Sequence, residues 1–386
     1  MKLALISHGP AGDPRQFSGI PWHILQELRR QGHEVEPFDA KPAAWTLPWA
    51  QFKNRLSLKF SRQPHHPEAD PWVLRTRALR LDRIVRAFRP DAVLCAGFPE
   101  AAAAISAKLP LYVWMDALYP TVRRSYPYFR DYYSESDARI LGQIEDGVLR
   151  RARKVWLSSA WAANEAKADF PQAAVHIGVQ SFGANLPKPP TVDEVEKSLG
   201  ARNLAQPTLL FLVNEWERKG GETAVETMRR LRELGCPAKL AVVGLNKRPP
   251  SVSAEPGLEW MGRLDKSVPA EAQQLEKLLS ESAFLLLPTK ADCTPIACHE
   301  AAAYGLPVLA TDVGGLSSTV DAGKSGMLWP VEKFAAEAPA WITALLADRT
   351  RYETMARAAR HRFEAIGNWA VNVRAVAGAM AADLKK

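Results

Sequence analysis

Cysteine is scarce in this sequence, and its histidines are not grouped. The 386 residues include four cysteines and eight histidines. The cysteines stand at no disulfide or metal-ligand spacing, and no histidine pair has the helical spacing of metal ligands. These absences exclude a disulfide-dense scaffold and a structural zinc site. We therefore expect reduced, structural thiols at Cys95, Cys236, Cys293 and Cys298.

Long hydrophobic runs are absent as well. No stretch approaches the roughly 18 uncharged apolar residues of a membrane span. The opening "MKLALISHGPAGD" is interrupted too early to be a signal peptide, so the chain is expected to be cytoplasmic. With 47% hydrophobic and 24% charged residues, the chain is long enough for two domain cores.

Positive charge is concentrated in one segment. The formal net charge is +8, and residues 41–89 hold eleven Lys and Arg against three Asp and Glu, an excess of the same size. From Trp72 to Arg89, apolar residues recur every three or four positions, which predicts a helix with one core face and an arginine-rich back. That back is either a solvated face or a patch for anionic lipid headgroups or an acidic acceptor. The predicted core face is Leu74, Ala78, Leu81, Val85 and Phe88, and the candidate patch is Arg77, Arg80, Arg83 and Arg86.

Apolar strand-like runs alternate with helical patterns in both halves of the chain. The first half has "KLALIS", "DAVLCA", "LYVWMD" and "KVWLSS", and the second has "TLLFLV", "KLAVVG", "AFLLLP" and "LPVLAT". Such alternation predicts parallel sheets covered by helices on both faces. A polar, proline-containing stretch separates the two series and places a domain boundary near Leu186. We predict an α/β protein of two Rossmann-like, doubly wound domains facing across a cleft, with ligands beyond the carboxyl ends of the strands.

The stretch "RKGGETAVETMRRL", residues 218–231, follows one of these strands and leads into an amphipathic helix. A helix start gathers unpaired N–H groups and the positive end of the helix dipole. The pair Arg218 and Lys219, with Gly220 and Gly221 after it, therefore favours a multiply charged anion such as phosphate. The alternative is a solvated turn that caps an ordinary helix.

A second junction between a strand and a helix lies within residues 288–315. Thr294 is predicted to cap a helix that begins at Pro295 and ends before Gly305. Glu300 falls on the apolar face of this helix, and a buried carboxylate costs several kcal/mol unless it is hydrogen-bonded. Glu300 therefore needs a polar partner, which is either a ligand or an internal salt bridge.

These motifs, in this order, resemble the retaining glycosyltransferases of the GT-B fold, in glycosyltransferase family 4. The spacing from Asp292 to Glu300 resembles the Glu-x7-Glu signature of that family, and "WERKGG" resembles its donor diphosphate segment. Elsewhere "SGIPWHILQELRRQGHEV" is similar to the first glycine loop and helix, "WMDALYP" to the acceptor-side strand end, and "VVGL" and "WMGRL" to the loops around the base. The closing "NWAVNVRAVAGAMAADL" is similar to the final helix that returns to the first domain.

The resemblance implies an acceptor-side domain at residues 1–186, a donor domain at 187–366, and a helix at 367–386 that packs on the first domain. It implies that Arg218 and Lys219 neutralise the leaving diphosphate and that Glu300 binds the ribose hydroxyls. The residues it assigns to catalysis are Arg218, Lys219, Asp292 and Asp116. Those it assigns to donor binding are Gly19, Gly244, Gly262, Arg263, Thr294, Pro295, Ile296 and Glu300.

The sequence departs from the family pattern at several positions. Asp292 stands where the family has glutamate, and Pro295 replaces a glycine and so removes an N–H group. Met115 precedes Asp116 where many relatives have histidine, and Asn214 stands where arginine is common. In this fold the charge of Arg and Lys stands in for a cation, so no cofactor and no catalytic metal are expected.

The implied function is transfer of a sugar from a UDP- or GDP-linked donor to a saccharide or lipid-linked acceptor, in polysaccharide, glycolipid or other glycoconjugate biosynthesis. A nucleotide-sugar epimerase or a sugar phosphorylase on the same architecture is an alternative. Another is a basic protein that binds membrane or nucleic acid through the arginine-rich helix. Phe88 is the one aromatic residue in "RTRALRLDRIVRAFRP", so stacking on bases is not expected, whereas peripheral contact with an anionic membrane stays a hypothesis.

Overall fold

The computed structural model describes residues 1–62, 65–66, 69–103, 105, 108–126 and 133–386. The chain divides into two compact units. The first unit is built from two separate segments, Met1–Phe182 and Trp369–Lys386, and the second is the continuous segment Gly183–Asn368. The chain thus enters the second unit just before the boundary predicted near Leu186.

A parallel sheet forms the centre of the first unit. Its strands are Lys2–Ser7 (β1), Glu34–Asp39 (β2), Ala92–Ala96 (β3), Leu111–Met115 (β4), Lys154–Leu157 (β5) and Ile177–Val179 (β6). Over the described residues the order is β2-β1-β3-β4-β5-β6, and every neighbouring pair is parallel. Strands β3 and β4 are buried along their whole length, as expected for strands covered by helices on both faces.

Helices surround this sheet. They are Ile20–Arg30 (α1), Leu47–Ser61 (α2), Pro71–Phe88 (α3), Tyr119–Ser125 (α4), Glu135–Arg151 (α5) and Ala160–Asp169 (α6). Side chains cap three of them, because Asp70, Ser134 and Ser159 accept hydrogen bonds from backbone N–H groups of the first turn.

The arginine-rich helix α3 forms where it was predicted, and its buried face includes Leu81 and Val85 of the predicted core face. The buried residues are Val73, Arg77, Leu81 and Val85, spaced by four, whereas Leu74 and Ala78 are half-buried. The prediction that Arg77 belongs to an exposed patch is therefore wrong: its side chain is 2% exposed, and Nη2 donates to the Glu100 carbonyl at 3.4 Å. The long guanidinium stem fills core space, and its head meets a backbone acceptor inside the unit.

The second unit is built on another parallel sheet. Its strands are Thr208–Leu212 (β7), Lys239–Val243 (β8), Leu258–Gly262 (β9), Phe284–Leu287 (β10), Val308–Thr311 (β11) and Gly326–Trp329 (β12). The order is β12-β11-β10-β7-β8-β9, and all neighbouring pairs are parallel. The two sheets confirm the predicted fold class, two Rossmann-like units built on parallel sheets.

The helices of the second unit lie between these strands and after them. They are Val192–Ala201 (α7), Trp216–Lys219 (α8), Gly221–Glu233 (α9), Pro269–Glu281 (α10), Ile296–Ala303 (α11), Leu316–Thr319 (α12), Phe334–Leu346 (α13) and Arg349–Arg362 (α14). Across the part of the chain that the structure describes, no helix combines the length and the apolar character needed to traverse a bilayer.

The last helix, Trp369–Leu384 (α15), belongs to the first unit and packs against α1. The Trp369 ring stacks on His23 with centroids 5.8 Å apart and also contacts Trp114 and Phe182. Near the end of the helix, the Tyr112 hydroxyl donates to Asp383 at 2.6 Å. The final segment therefore completes the core of a unit whose other residues come from the start of the chain.

Candidate functional site

The sheet of the second unit reverses its strand order between β7 and β10, which are neighbours. From β7 the chain continues to β8 and β9 on one side, and from β10 it continues to β11 and β12 on the other. In doubly wound sheets, ligands bind outside the carboxyl ends of the strands at such a switch point. Arg218 and Lys219 follow β7, and Asp292 follows β10. The structure therefore brings these three predicted residues together.

Gly220 sets the geometry of the loop after β7. Arg218 and Lys219 end the short helix α8, Gly220 adopts a left-handed conformation with φ 75°, and α9 begins at Gly221. A Cβ atom on Gly220 would lie 1.9 Å from the Pro288 carbonyl oxygen, so the loops after β7 and β10 approach more closely than any other residue type permits. The glycines of "RKGG" thus serve packing as well as backbone conformation.

Arg218 is held from several sides. Its Nε donates to Glu215 at 2.8 Å, and its Nη1 donates to the Ala291 carbonyl at 2.9 Å. The same Nη1 lies 3.8 Å from Asp292 Oδ2. In return, the Arg218 carbonyl accepts a hydrogen bond from the Lys290 N–H at 2.7 Å. These bonds leave the guanidinium little freedom to move, as a fixed charge in a binding site requires.

Lys219 and Asp292 form a close ion pair between Nζ and Oδ2. Both side chains are nearly buried, at 11% and 10% exposure, so their attraction is screened less than that of a surface pair. The backbone of Asp292 is fixed in turn, because its carbonyl accepts from Gly315 N at 3.0 Å. A Cβ atom on Gly314 would lie 2.0 Å from that carbonyl oxygen, so this loop also needs its glycine.

The predicted cap of the next helix is wrong. Helix α11 begins at Ile296, its N-cap is Pro295 in an extended conformation, and no side chain caps it. Thr294 Oγ1 donates to the Cys293 carbonyl at 2.7 Å instead. Proline fixes its own φ and disfavours the helical conformation for Thr294, so the helix starts one residue later than the Thr-Pro pattern predicts. The helix ends before Gly305, which is left-handed as expected.

Glu300 finds a partner inside the second unit. Its carboxylate pairs with Lys266 Nζ, and Lys266 also donates to the Asn185 carbonyl at 3.0 Å. The internal salt bridge, one of the two alternatives that the sequence left open, is therefore present in this structure. Lys266 lies in the loop after β9, so the pair joins that loop to α11.

Gly244 and Gly262 hold the loops after β8 and β9 together. Gly244 has φ 123°, its N–H donates to the Gly262 carbonyl at 2.8 Å, and a Cβ atom there would lie 1.9 Å from the Val213 carbonyl oxygen. Gly262 has φ 70°, and the N–H of the exposed Arg263 donates to Asn246 Oδ1 at 3.0 Å. Both glycines lie at the carboxyl ends of their strands, the same end of the sheet at which Arg218, Lys219 and Asp292 lie.

Gly19 and Asp116 lie in the first unit. Gly19 has φ 79° and is the N-cap of α1, and the two residues before it, Phe17 and Ser18, also have positive φ. The left-handed conformations of Phe17 and Ser18 are strained, which is typical of a functional loop. Asp116 follows β4, and its Oδ1 accepts from the Ala117 N–H at 2.8 Å.

Burial changes two titratable groups on α11, beside Glu300. Burial raises the pKa of the Cys298 thiol, and nearby Asp292 adds to this effect, so the thiol stays neutral and unreactive. Burial lowers the pKa of His299 to about 4, with a further contribution from Arg362. Across the described parts of the chain, no three His, Cys, Asp or Glu side chains gather as a metal site would require.

Three residues that support this site were not singled out from the sequence. Glu215 precedes Arg218 by three positions, and that helical spacing is a usable signal for an ion pair. Asn246 accepts from the Arg263 N–H, and Lys266 pairs with Glu300, which lies 34 positions away. No local pattern reveals such distant partners.

The segment at residues 206–348 matches the family model described as Glycosyl transferases group 1. This segment contains β7 to β12 and the cluster of Arg218, Lys219 and Asp292.

Solved structures of similar fold span the whole chain. Sucrose-phosphate synthase from Thermosynechococcus elongatus superimposes with a TM-score of 0.68 at 16% identity, over 100% of this chain and 99% of that one. HepE of Anabaena, solved in complex with UDP, gives a TM-score of 0.64 at 14% identity, over 99% of this chain and 100% of that one. The fold is that of the GT-B glycosyltransferases.

Two curated relatives align over shorter stretches. The "Putative colanic acid biosynthesis glycosyltransferase WcaL" of Escherichia coli (strain K12) is 26% identical over 183 residues, 45% of this chain and 43% of that protein. The protein of the same name from Salmonella typhimurium is 30% identical over 123 residues, 30% of either chain. The chain therefore aligns with less than half the length of each relative.

Proposed function

We propose that this protein is a retaining glycosyltransferase that moves a sugar from a UDP- or GDP-linked donor to an acceptor hydroxyl. The observation that carries the proposal is the placement of Arg218 and Lys219 at the switch point of the second sheet, inside the segment that matches the glycosyltransferase family model. HepE, which has the same fold, was solved with UDP and with UDP-glucose, and this supports a nucleotide-sugar donor.

In the proposed reaction, the bond between the anomeric carbon and the diphosphate breaks while a bond to the acceptor oxygen forms. Negative charge develops on the departing phosphate oxygen, and Arg218 and Lys219 stabilise it. A unit-charge pair at about 4 Å is worth roughly 4 kcal/mol at an effective dielectric constant near 20. The acceptor proton passes to the departing phosphate oxygen, so the mechanism needs no protein base.

The other site residues receive supporting roles in this proposal. Asp292 orients Lys219 through their ion pair and also meets the donor sugar hydroxyls. Glu300 binds the ribose, with Lys266 balancing its charge. Three predicted donor residues, Thr294, Pro295 and Ile296, form the turn into α11.

The remaining predicted residues keep the roles that the family resemblance gives them. Gly244, Gly262 and Arg263 border the base. Gly19 contacts phosphate, and Asp116 serves the acceptor side.

We propose that the reaction needs neither a metal nor an organic cofactor, because the guanidinium group of Arg218 and the ammonium group of Lys219 supply the positive charge that the diphosphate requires. The acceptor is a saccharide or a lipid-linked saccharide of glycoconjugate biosynthesis, in line with the names of the curated relatives. A cytoplasmic location and the absence of a nucleic-acid partner stay predictions.

Thermal unfolding with individual nucleotides tests the proposal. A nucleoside diphosphate at a hundred times its dissociation constant stabilises the protein by about 2.7 kcal/mol. We expect UDP or GDP to raise the melting temperature, and we expect sugar transfer to survive a chelator. Interconversion of donor sugars without an acceptor would indicate the epimerase, and indifference to every nucleotide would contradict the proposal.

We predict that Lys219→Ala and Arg218→Ala each lower turnover about a hundredfold or more, because each removes charge from the leaving diphosphate. Binding of the free nucleoside should change little, since it carries no phosphate. Lys277→Ala, which removes an exposed cation from α10, is the matched control and should keep full turnover. Unchanged turnover in both site variants would contradict the diphosphate role and would indicate that "RKGG" is a turn that caps an ordinary helix.

A further inference from the structure

Helix α2 of the first unit presents its apolar side to solvent. Trp49, Phe52, Leu56 and Phe60 follow one another at spacings of three and four, which places them within an arc of about 80° on the helix surface. All four side chains are exposed, and Phe60 is 78% exposed. An ordinary surface helix buries such a stripe, so this helix is oriented the opposite way.

The side of α2 that faces the protein is small and polar. Ala50 is buried, and Lys53, Asn54 and Ser57 are half-buried. Asn54 Oδ1 accepts from the His65 N–H at 3.0 Å, and Lys53 Nζ lies 2.8 Å from Asp70 Oδ2. Hydrogen bonds and an ion pair therefore hold the inward face.

A buried charge network fixes this orientation. Asp70 has no exposed surface and also contacts His65 Nε2 at 3.1 Å, while His65 Nδ1 lies 3.2 Å from Asp137. Burial alone would raise the pKa of Asp70, but hydrogen bonds from Lys53, His65 and the Val73 N–H outweigh it and lower the pKa. If α2 rolled over to bury its apolar stripe, it would remove Lys53 from a buried carboxylate, which is costly.

Further aromatic rings extend the stripe at its beginning. Trp45 is 64% exposed, and its ring lies 5.2 Å from that of Trp72, which lies 6.3 Å from the ring of Trp49. Trp72 is itself 40% exposed. We call the six side chains Trp45, Trp49, Phe52, Leu56, Phe60 and Trp72 the aromatic face.

The segment that carries α2 has charged residues of a single sign. Residues 41–67 contain no aspartate or glutamate but five lysines and arginines. Arg55, Lys59 and Arg62 are exposed along the helix, and Lys59 Nζ lies 5.6 Å from the ring centroid of Phe60. Tryptophan and phenylalanine beside lysine and arginine, without acidic residues, is the composition of helices that lie in the interface of an anionic bilayer.

We propose that the aromatic face docks on a bilayer that contains anionic lipid, with α2 lying in the membrane plane. The aromatic rings enter the boundary between headgroups and acyl chains, and Arg55, Lys59 and Arg62 meet the lipid phosphates. The candidate patch on α3 is a poorer surface, because Arg77 is buried and Arg80 Nη2 donates to the carbonyls of Asp39 and Lys41. This docking requires neither donor nor acceptor, so it stands apart from the proposed reaction.

Flotation with vesicles tests the proposal. The full chain is mixed with vesicles of phosphatidylcholine alone or of equal parts phosphatidylcholine and phosphatidylglycerol, at low and at high salt. We expect flotation with the anionic vesicles at low salt and less at high salt. The double variant Phe52→Ser, Phe60→Ser should bind at least about tenfold more weakly, because the apolar area that enters the membrane is lost.

The double variant Arg55→Gln, Lys59→Gln separates charge from apolar insertion. Each basic residue near an anionic surface contributes about fivefold, so the pair should weaken binding about 30-fold at low salt and much less at high salt. Two double variants are the controls. Val175→Ser, Leu234→Ser matches the phenylalanine variant, and Lys197→Gln, Lys277→Gln matches the charge variant. Both change exposed residues outside the aromatic face and should float like the wild type. All variants should melt as the wild type does, since the changed side chains are exposed.

Three results would overturn the proposal. The first is equal flotation by the wild type, the phenylalanine variant and the Arg55→Gln, Lys59→Gln variant, and the second is no flotation by the wild type. The third is self-association in gel filtration that the phenylalanine variant abolishes while vesicles have no effect, since the aromatic face would then be covered by a second copy of the chain.

Discussion

Glu300 and Lys266 form an ion pair whose two members differ in exposure, with 6% for the carboxylate side chain and 35% for the lysine. The stability cost of breaking the pair therefore depends on which of the two charges is removed. We predict that Lys266→Met lowers the free energy of unfolding by about 3 kcal/mol at neutral pH, because it leaves a buried carboxylate unpaired. Glu300→Gln should cost about 1 kcal/mol, since the lysine reaches water. Urea denaturation with and without UDP measures both effects.

The exposed pair of Lys239 and Glu259 is the control for this prediction. Its atoms are 2.8 Å apart, but both side chains are about 40% exposed. Lys239→Met should therefore cost less than about 1 kcal/mol. Equal losses for Lys266→Met and Lys239→Met would mean that the Glu300 pair behaves as a surface pair. A ribose role for Glu300 requires in addition that Glu300→Gln weakens the stabilisation by UDP.

Gly220 carries two constraints at one residue, a left-handed backbone and contact with the Pro288 carbonyl. We predict that Gly220→Ala destabilises the protein by about 3 kcal/mol, because conformational strain and a steric clash add. Gly235→Ala is the matched control. Gly235 has φ 81° with open space around its Cβ position, so it should lose about 1 kcal/mol from backbone strain alone. Urea midpoints that are equal for the two variants would disprove the role of the close approach.

At this scale the sequence singled out three charged residues but not the contacts between them. Arg218 and Lys219 stood out because they precede the start of a helix, and Asp292 because its spacing from Glu300 resembles the family signature; their ion pairing was not predicted. The partners of Glu300 and Arg263 were not predicted either, because they lie in other loops and no local spacing marks them. The prediction that Thr294 caps the helix was wrong because Pro295 disfavours the helical conformation for the residue before it.

At the scale of elements, helix α11 carries a buried imidazole that makes stability depend on pH. His299 has a pKa of about 4 in the folded chain and about 6.5 when unfolded. Between these values the unfolded chain binds a proton that the folded chain does not, so acid favours unfolding. We predict that lowering the pH from 7 to 5 costs the wild type about 2 kcal/mol more than it costs His299→Gln. Urea titrations of both proteins at the two pH values measure this, and parallel losses would contradict it.

The strands show which elements a sequence reveals. The eight apolar runs found in the sequence are the central strands of the two sheets, β1, β3, β4, β5 and β7, β8, β10, β11. The strands that were missed, β2, β6, β9 and β12, form the edges of the sheets. A central strand is covered on both sides and needs a continuous apolar run, whereas an edge strand is partly exposed and mixes polar with apolar residues.

For helices, the sequence pattern does not determine which face is buried. Periodicity identified α3, but it assigned the buried face to Leu74 and Ala78 because an arginine was assumed to be exposed. In α2 the apolar stripe lies on the outer side. Periodicity tells which residues share a face, but the polar anchors of that helix, Asp70 and His65, decide which face points inward.

At the scale of the whole molecule, the positive charge is unevenly divided. The excess of basic residues in segment 41–89 equals the net charge of the entire chain, and this segment belongs to the first unit. The charges at the switch point of the second unit are instead balanced by nearby carboxylates. In our proposals, long-range attraction to an anionic surface therefore belongs to the first unit, and local recognition of an anion belongs to the second.

The division of the first unit into two chain segments has a consequence for synthesis. Translation delivers Met1–Phe182 before the second unit and Trp369–Lys386 after it. The ends of that second unit are tied by a hydrogen bond from Ala184 N to the Gly367 carbonyl at 2.8 Å, so it can close as soon as it leaves the ribosome. Until Trp369 has been synthesised, the side chains of His23 and Trp114 in the nascent first unit lack the ring that packs on them. The first unit therefore begins to form before the second unit and is completed after it, and in that interval its uncovered apolar surface is open to aggregation.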